Sequence, residues 1–317
     1  MTTLPVLPRS PRGRFWLGVW RVADPKITLA SVAGMGLGAA AAAHDGPLHW
    51  GWLGLTVLGI FCIEAAKNAS GEVFDWDSGA DQGVATEDRS PFSGGKRVLV
   101  DGLWSRREAF ALAFAFYLVG AAAGLAIVGL REPAVLGFGL AGVGLAFFYH
   151  APPLRLSYRG LGELAVGLAY GPFMTSGTYL VQRGELPLRV ILLGLPLGLA
   201  IAAFLWINEF PDQRADAAAG KRTLVVRLGP AGAARAFAGI IALVYLGLLL
   251  LLPLAGLTPW VLLGMSGLPL GVRAARQLRR DPETTAVIVP AQGWTLLSFL
   301  LLSGGASVGL LVAGWLG

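Results

Sequence analysis

The feature that most limits what this chain can become is a repeat of long apolar runs, nine of them, separated by short charged loops. A bilayer core about 30 Å thick takes about 20 residues of helix. No water is there to satisfy free backbone groups, so only helices or closed barrels cross it. Runs suited to helices lie near residues 28–43, 50–71, 108–130, 133–150, 161–182, 188–208, 233–252, 257–273 and 288–315. Only 14% of the 317 residues are charged, where a water-soluble domain carries about a quarter. The expectation is an all-α polytopic bundle of nine transmembrane helices, one domain over residues 28–317, behind an N-terminal tail of residues 1–27. That tail is polar, Pro-rich and basic, with no apolar core of a cleaved signal peptide. Cys62, alone in the chain, forbids an internal disulfide. Glycines such as Gly137, Gly139, Gly142 and Gly144 are spaced for close helix contact.

A net charge of +6 could suggest a nucleic-acid partner, but the placement of the charges argues against one. With the N-terminus in the cytoplasm, 22 of the 25 Lys and Arg fall in the tail and around the loops after the second, fourth, sixth and eighth runs. Only Arg131, Arg183 and Arg189 fall on the other side. Loops rich in Lys and Arg stay cytoplasmic. The pattern therefore predicts a cell-membrane protein with its N-terminus inside, its C-terminus outside and an odd number of spans.

Ten of the 19 acidic residues gather at the ends of two runs on that cytoplasmic side. Glu64, Glu72, Asp75, Asp77, Asp81, Glu87 and Asp88 belong to the second run and its loop; Glu209, Asp212 and Asp216 close the sixth. The 72/75 and 212/216 spacings put each pair on one side of a helix. An asparagine precedes each cluster, Asn68 and Asn208, a weak echo of duplication. Carboxylates held together need a counter-charge, and Mg²⁺ supplies it while sharing its shell with phosphate oxygens. Arg89, Lys96 and Arg97 follow the first cluster, and Lys221 and Arg222 the second, as partners for those oxygens. Acids for a metal and cations for phosphate describe a diphosphate site, and an apolar bundle beneath it suits a substrate with a long hydrocarbon tail.

Other readings stand beside this one. Asp77 reads equally as a solvent-facing charge, and Glu64 as an ion-pair partner of Lys67. Lys96, Arg97 and the cations from Arg273 to Arg280 read as orientation or lipid-surface charge. Tyr149, Tyr158 and above all Trp206 could be interfacial aromatics. His44, His49 and His150 have no metal-ligand spacing. Intramembrane charge also suits a transporter, although the mid-membrane positions are nearly all apolar. A CDP-alcohol phosphatidyltransferase would carry Asp-Gly-x-x-Ala-Arg, which is absent.

At these residues the sequence resembles the UbiA superfamily of membrane prenyltransferases. Asn68-Ala-Ser-Gly-Glu72-Val-Phe-Asp75-Trp-Asp77-Ser-Gly-Ala-Asp81 is similar to the family's first Asp-rich motif in its menaquinone-type form. Glu72 stands where the family usually has Asp, and Gly71 where Asn is usual. Asn208-Glu-Phe-Pro-Asp212-Gln-Arg-Ala-Asp216, running on to Gly220-Lys221-Arg222-Thr223, resembles the second motif, and Tyr149 to Glu163 the loop after the fourth helix. The resemblance implies transfer of an isoprenyl group from a prenyl diphosphate to an electron-rich acceptor, favouring an aromatic quinone precursor over chlorin, haem or glycerol-phosphate acceptors. It implies Mg²⁺ held by Glu72, Asp75, Asp81, Asp212 and Asp216. Asn68, Asn208, Arg89, Lys221 and Arg21 would serve the diphosphate, and Tyr149 and Tyr158 the acceptor or cation pocket.

Overall fold

The computed structural model describes residues 10–316; residues 1–9, with Arg9 of the N-terminal cations, and Gly317 lie outside the described residues. No strand occurs among the described residues. Eleven α-helices follow one another: α1 (Pro11–Ala23), α2 (Pro25–His44), α3 (Trp50–Ser78), α4 (Arg106–Leu130), α5 (Val135–Phe148), α6 (Gly162–Leu168), α7 (Met174–Arg183), α8 (Leu188–Ala218), α9 (Leu224–Ala255), α10 (Leu268–Arg280) and α11 (Thr285–Leu316). The residues expected to form the N-terminal tail include α1. Ser10 caps it by accepting from the Gly13 amide, Pro11 occupies its first position, and the Phe15 carbonyl accepts from Trp104 Nε1 at 3.2 Å.

Six helical stretches are long and apolar enough to cross a membrane: Pro11–His44, Trp50–Ser78, Arg106–Leu130, Leu188–Ala218, Leu224–Ala255 and Thr285–Leu316. The other three expected spans take different forms. α5 is apolar but has only 14 residues. The run at 161–182 is α6 and α7 joined by a π-helical turn, Ala169–Phe173, where Pro172 withholds a backbone donor. The run at 257–273 begins as a 3₁₀ segment, Pro259–Gly267, and continues as α10.

α8 is the central post. Leu193, Leu197, Ile201, Phe204 and Ile207 are all nearly inaccessible, and it packs against α6, α9 and α11. Trp206, expected at the lipid interface, is instead buried, because residues 200–211 of this helix, apart from a half-buried Leu205, are enclosed on every side. Close approach is made by glycines other than those of α5: a Cβ at Gly198 of α8 would collide with the Gly167 carbonyl of α6. The four α5 glycines have no neighbour in reach of an added Cβ, and Gly139 and Gly142 border an apolar cavity instead. On the outer surface α4, α9 and α11 present Leu118, Leu125, Leu243, Leu254, Leu297 and Val308, an apolar exterior that lipid must cover.

The two ends of the bundle differ. One gathers the C-termini of α3 and α8, the α1–α2 corner and the loops 79–105, 149–161 and 219–223. At the other, Asp45 accepts from Tyr179 at 2.5 Å and from Arg189 at 2.8 Å, while Arg131 donates to the Val181 and Gln182 carbonyls.

Candidate active site

The first end encloses a polar cavity of about 790 Å³ lined by both acidic stretches. α3 overruns the apolar run by two turns, carrying Asn68, Glu72 and Asp75 inward before Gly79, at φ 80°, ends it. α8 continues likewise past Pro211 to Ala218 and brings Asn208, Asp212 and Asp216 to the same space. The carboxylates of the two stretches thus line one space from two helices.

Lys221 sits among them, its ammonium 3.3 Å from Asp75 Oδ1, 3.4 Å from Asp216 Oδ1 and 5.1 Å from the centre of the Tyr158 ring. Burial works against its charge, but Asp75 and Asp216 outweigh it and hold the ammonium well above the usual lysine range. Asp75 also accepts from the Tyr158 hydroxyl at 2.9 Å and lies 3.4 Å from His150 Nδ1. Burial, then the Asp75 charge, push the Tyr158 hydroxyl up to about 12, so it stays a donor. Asp81 is buried beside Asp75 and Glu72, and burial first, then those charges, raise its carboxyl well above the usual range. Asp212 accepts from the Gly94 amide through Oδ2 at 3.0 Å, while its buried Oδ1 has no partner, nor have Asn208 Oδ1 and Glu209 Oε2.

The loop after α3 lies over these acids as a strap. Glu72 clasps it, accepting from the amides of Lys96 (2.9 Å), Val98 (2.6 Å) and Leu99 (3.4 Å). Gly95, at φ 72°, passes so near Asp81 that a Cβ there would strike the carboxylate. Arg21 reaches over from α1 to the Arg97 carbonyl (3.2 Å) and to Asp101 (2.7 Å). Lys96 pairs with Asp24, and Lys26 donates to the Pro91 carbonyl. Asn68 donates to the Val22 carbonyl at 2.8 Å, tying α1 to α3.

The sequence-derived candidates thus divide. Asp75, Asp81, Asp212, Asp216, Asn208, Lys221, Arg89 and Tyr149 all line the cavity, and the buried Nε of Arg89 is unpartnered. Glu72, Asn68 and Arg21 also reach its wall, but Glu72 and Arg21 bind the strap and Asn68 Nδ2 binds the Val22 carbonyl of α1. Tyr158 stands behind Asp75. Asp77 points away, half exposed and 2.7 Å from Arg106. His150 was passed over for want of a metal-ligand spacing. Glu163, given no role from the sequence, accepts from the Leu224 amide through Oε1.

Among the described residues no three His, Cys, Asp or Glu side chains converge closely enough to hold a metal ion unaided. The donor set still fits Mg²⁺, which is commonly held by one or two carboxylates with waters and substrate phosphate completing the shell. The buried, unpartnered Asp212 Oδ1 is a carboxylate oxygen of that kind.

A second cavity of about 450 Å³ opens beside the first between α3, α4, α5, α6 and α7. Its walls are almost wholly apolar, and Lys67, Tyr149, Val166 and Tyr170 border both spaces.

Residues 31–300 match the UbiA prenyltransferase family. The 1,4-dihydroxy-2-naphthoate octaprenyltransferase of Mycobacterium tuberculosis is 30% identical over 90% of this chain and 94% of its own. The 2-carboxy-1,4-naphthoquinone phytyltransferase of Arabidopsis thaliana is 27% identical over 93% and 77%. A UbiA homolog from Aeropyrum pernix K1 shares the fold at a TM-score of 0.67 and 18% identity, covering 89% of this chain and 98% of that one. One from Archaeoglobus fulgidus, bound to GPP and Mg²⁺, does so at 0.62 and 16%, covering 92% and 99%. With both acidic motifs converging on one cavity at the end of a helical membrane bundle, this chain belongs to the UbiA prenyltransferase family and is a prenyltransferase.

Proposed function

We propose that this enzyme transfers an isoprenyl group from its diphosphate to an electron-rich aromatic acceptor of the dihydroxynaphthoate class, with Mg²⁺, at the cytoplasmic face of the cell membrane. The observation that carries the reading is the adjacency of a carboxylate- and cation-lined cavity to an almost wholly apolar one. A prenyl diphosphate has that same division between head and tail. Relatives that act on 1,4-dihydroxy-2-naphthoate support the acceptor class, and the distribution of Lys and Arg supports a cytoplasmic N-terminus and nine crossings by residues 28–317.

In this reading Asp75, Asp81, Asp212 and Asp216 hold the metal and diphosphate, with Asn208, Arg89 and Lys221 on the phosphate oxygens. Mg²⁺, when bound, offsets the negative charge that grows on the departing diphosphate. The allylic C–O bond breaks with its electron pair going to diphosphate. The acceptor ring attacks the allylic carbon to form a C–C bond, and the attacked ring carbon then gives up its proton, or CO₂ if it carried a carboxylate. Tyr149, at the junction of the two spaces, presents a π face to the allylic cation. The apolar walls keep out water that would capture that cation.

The test is purified protein in lipid with geranylgeranyl diphosphate and a panel of acceptors, scored by mass spectrometry with and without Mg²⁺. The expected product is prenylated naphthoate, formed only with the metal. Turnover that is undiminished without divalent metal, or confined to non-aromatic acceptors, contradicts the reading.

A further inference from the structure

Lys67 is the one Lys or Arg among the described residues that borders both cavities. It lies on α3, one turn inside the acidic motif, with its ammonium 5.7 Å from the centre of the Tyr149 ring and 5.8 Å from that of Tyr170. The only hydrogen bond of that ammonium among the described residues is a long one, 3.4 Å to the Tyr170 hydroxyl. Glu64, the nearby acid on the same helix, does not pair with it directly. Glu64 Oε2 accepts from Ser31 at 2.7 Å and Oε1 from the Tyr170 hydroxyl at 3.3 Å, so both oxygens are engaged elsewhere. The ion pair with Lys67 expected from their spacing is therefore replaced by a bridge through Tyr170.

A half-buried ammonium with spare N–H donors facing two cavities is suited to an anion. Its surroundings select which one. Two aromatic faces flank it and the space beyond is apolar, which suits a flat ring bearing one negative group. A diphosphate carries more charge than one cation meets, and Arg89, Lys96 and Lys221 already serve the polar cavity.

We propose that Lys67 binds the carboxylate of an aromatic acid acceptor, steadying the ring between Tyr149 and Tyr170 at the mouth of the apolar cavity, with Glu64 fixing Tyr170. The inference rests on the aromatic-acceptor reading above and adds to it the group that selects the acceptor. Lys67 is thus a specificity residue, distinct from the groups that hold diphosphate.

The experiment compares wild type, Lys67→Met and Lys67→Arg with two acceptors, 1,4-dihydroxy-2-naphthoate and the same diol without its carboxylate. Loss of a hydrogen-bonded charge partner should raise KM for the acid in Lys67→Met by about 30- to 100-fold. KM for the neutral diol and for geranylgeranyl diphosphate should stay within about threefold, as for an uninvolved position. Lys67→Arg, which keeps the charge, should retain the preference for the acid, and naphthoate binding to the purified variants should follow the same order. Parallel losses on both acceptors, or a rise in KM for the diphosphate alone, would overturn the assignment while leaving prenyl transfer to aromatics standing. A wild type that prenylates no aromatic acceptor would overturn both together.

Discussion

The two acidic stretches begin alike and end in different employment. Each places an asparagine one turn before an acid, Asn68 with Glu72 on α3 and Asn208 with Asp212 on α8. In the first, Asn68 donates through Nδ2 to the Val22 carbonyl, and Glu72 accepts from three amides of the strap. In the second, Asp212 takes one amide and keeps a bare oxygen, and Asn208 keeps another. One half of the pseudo-pair builds the roof of the cavity and the other furnishes its interior. The longer glutamate side chain at position 72 suits that task, since it reaches from the helix to the strap backbone between Lys96 and Leu99. Where the family usually has aspartate, this chain has a glutamate that clasps the strap.

The sharpest way to break this comparison is to remove an acid from each half. Asp212→Ala should lower turnover by about 10³-fold, the scale of losing a group that meets charge developing in the transition state. Its thermal stability should be close to wild type, because only the Gly94 amide loses its acceptor. Glu72→Ala should behave in the opposite way. Three amides lose their acceptor, at about 1 kcal/mol or more each, so the melting temperature should fall by several degrees and the 79–105 strap should become open to protease. A Glu72→Ala enzyme with unchanged stability and no turnover would return Glu72 to the ligand set.

A smaller effect separates the asparagines. Asn208→Ala should raise KM for prenyl diphosphate about tenfold with little change in melting temperature, as expected for loss of one hydrogen bond to a charged group. Asn68→Ala should cost about 1 kcal/mol of stability, the worth of its bond to Val22, and leave that KM nearly alone. Reversed results would mean that the first motif faces the substrate.

Much of this was legible in the residues, and the misses have physical causes. The convergence of Asp75, Asp81, Asp212 and Asp216 followed from their positions at the ends of two even-numbered apolar runs, because run ends of like parity share a membrane face. The employment of Glu72 and Asn68 was not legible. It depends on a 27-residue loop folding back, and that path is set by Gly94, Gly95 and the clamps from Arg21 and Lys26. Apolar runs report burial in lipid or protein without distinguishing them, so Trp206 read as interfacial although α8 is enclosed by other helices. Runs also conceal interruptions: Pro172 turned an expected span into two helices around a π turn. His150 lacks any metal-ligand spacing in sequence, and only the fold sets it beside Asp75. Glu64 was visible as an odd charge in an apolar run with Lys67 three residues on, but Tyr170, which joins them, lies about 100 residues away.

The division of labour between the two motifs is tested most directly by calorimetric titration of geranylgeranyl diphosphate, with and without Mg²⁺, into wild type, Asp212→Asn and Glu72→Gln. The account predicts that Mg²⁺ tightens binding in wild type and in Glu72→Gln by similar factors, and that Asp212→Asn loses most of that gain. Loss of the Mg²⁺ effect in Glu72→Gln, with Asp212→Asn unaffected, would contradict it.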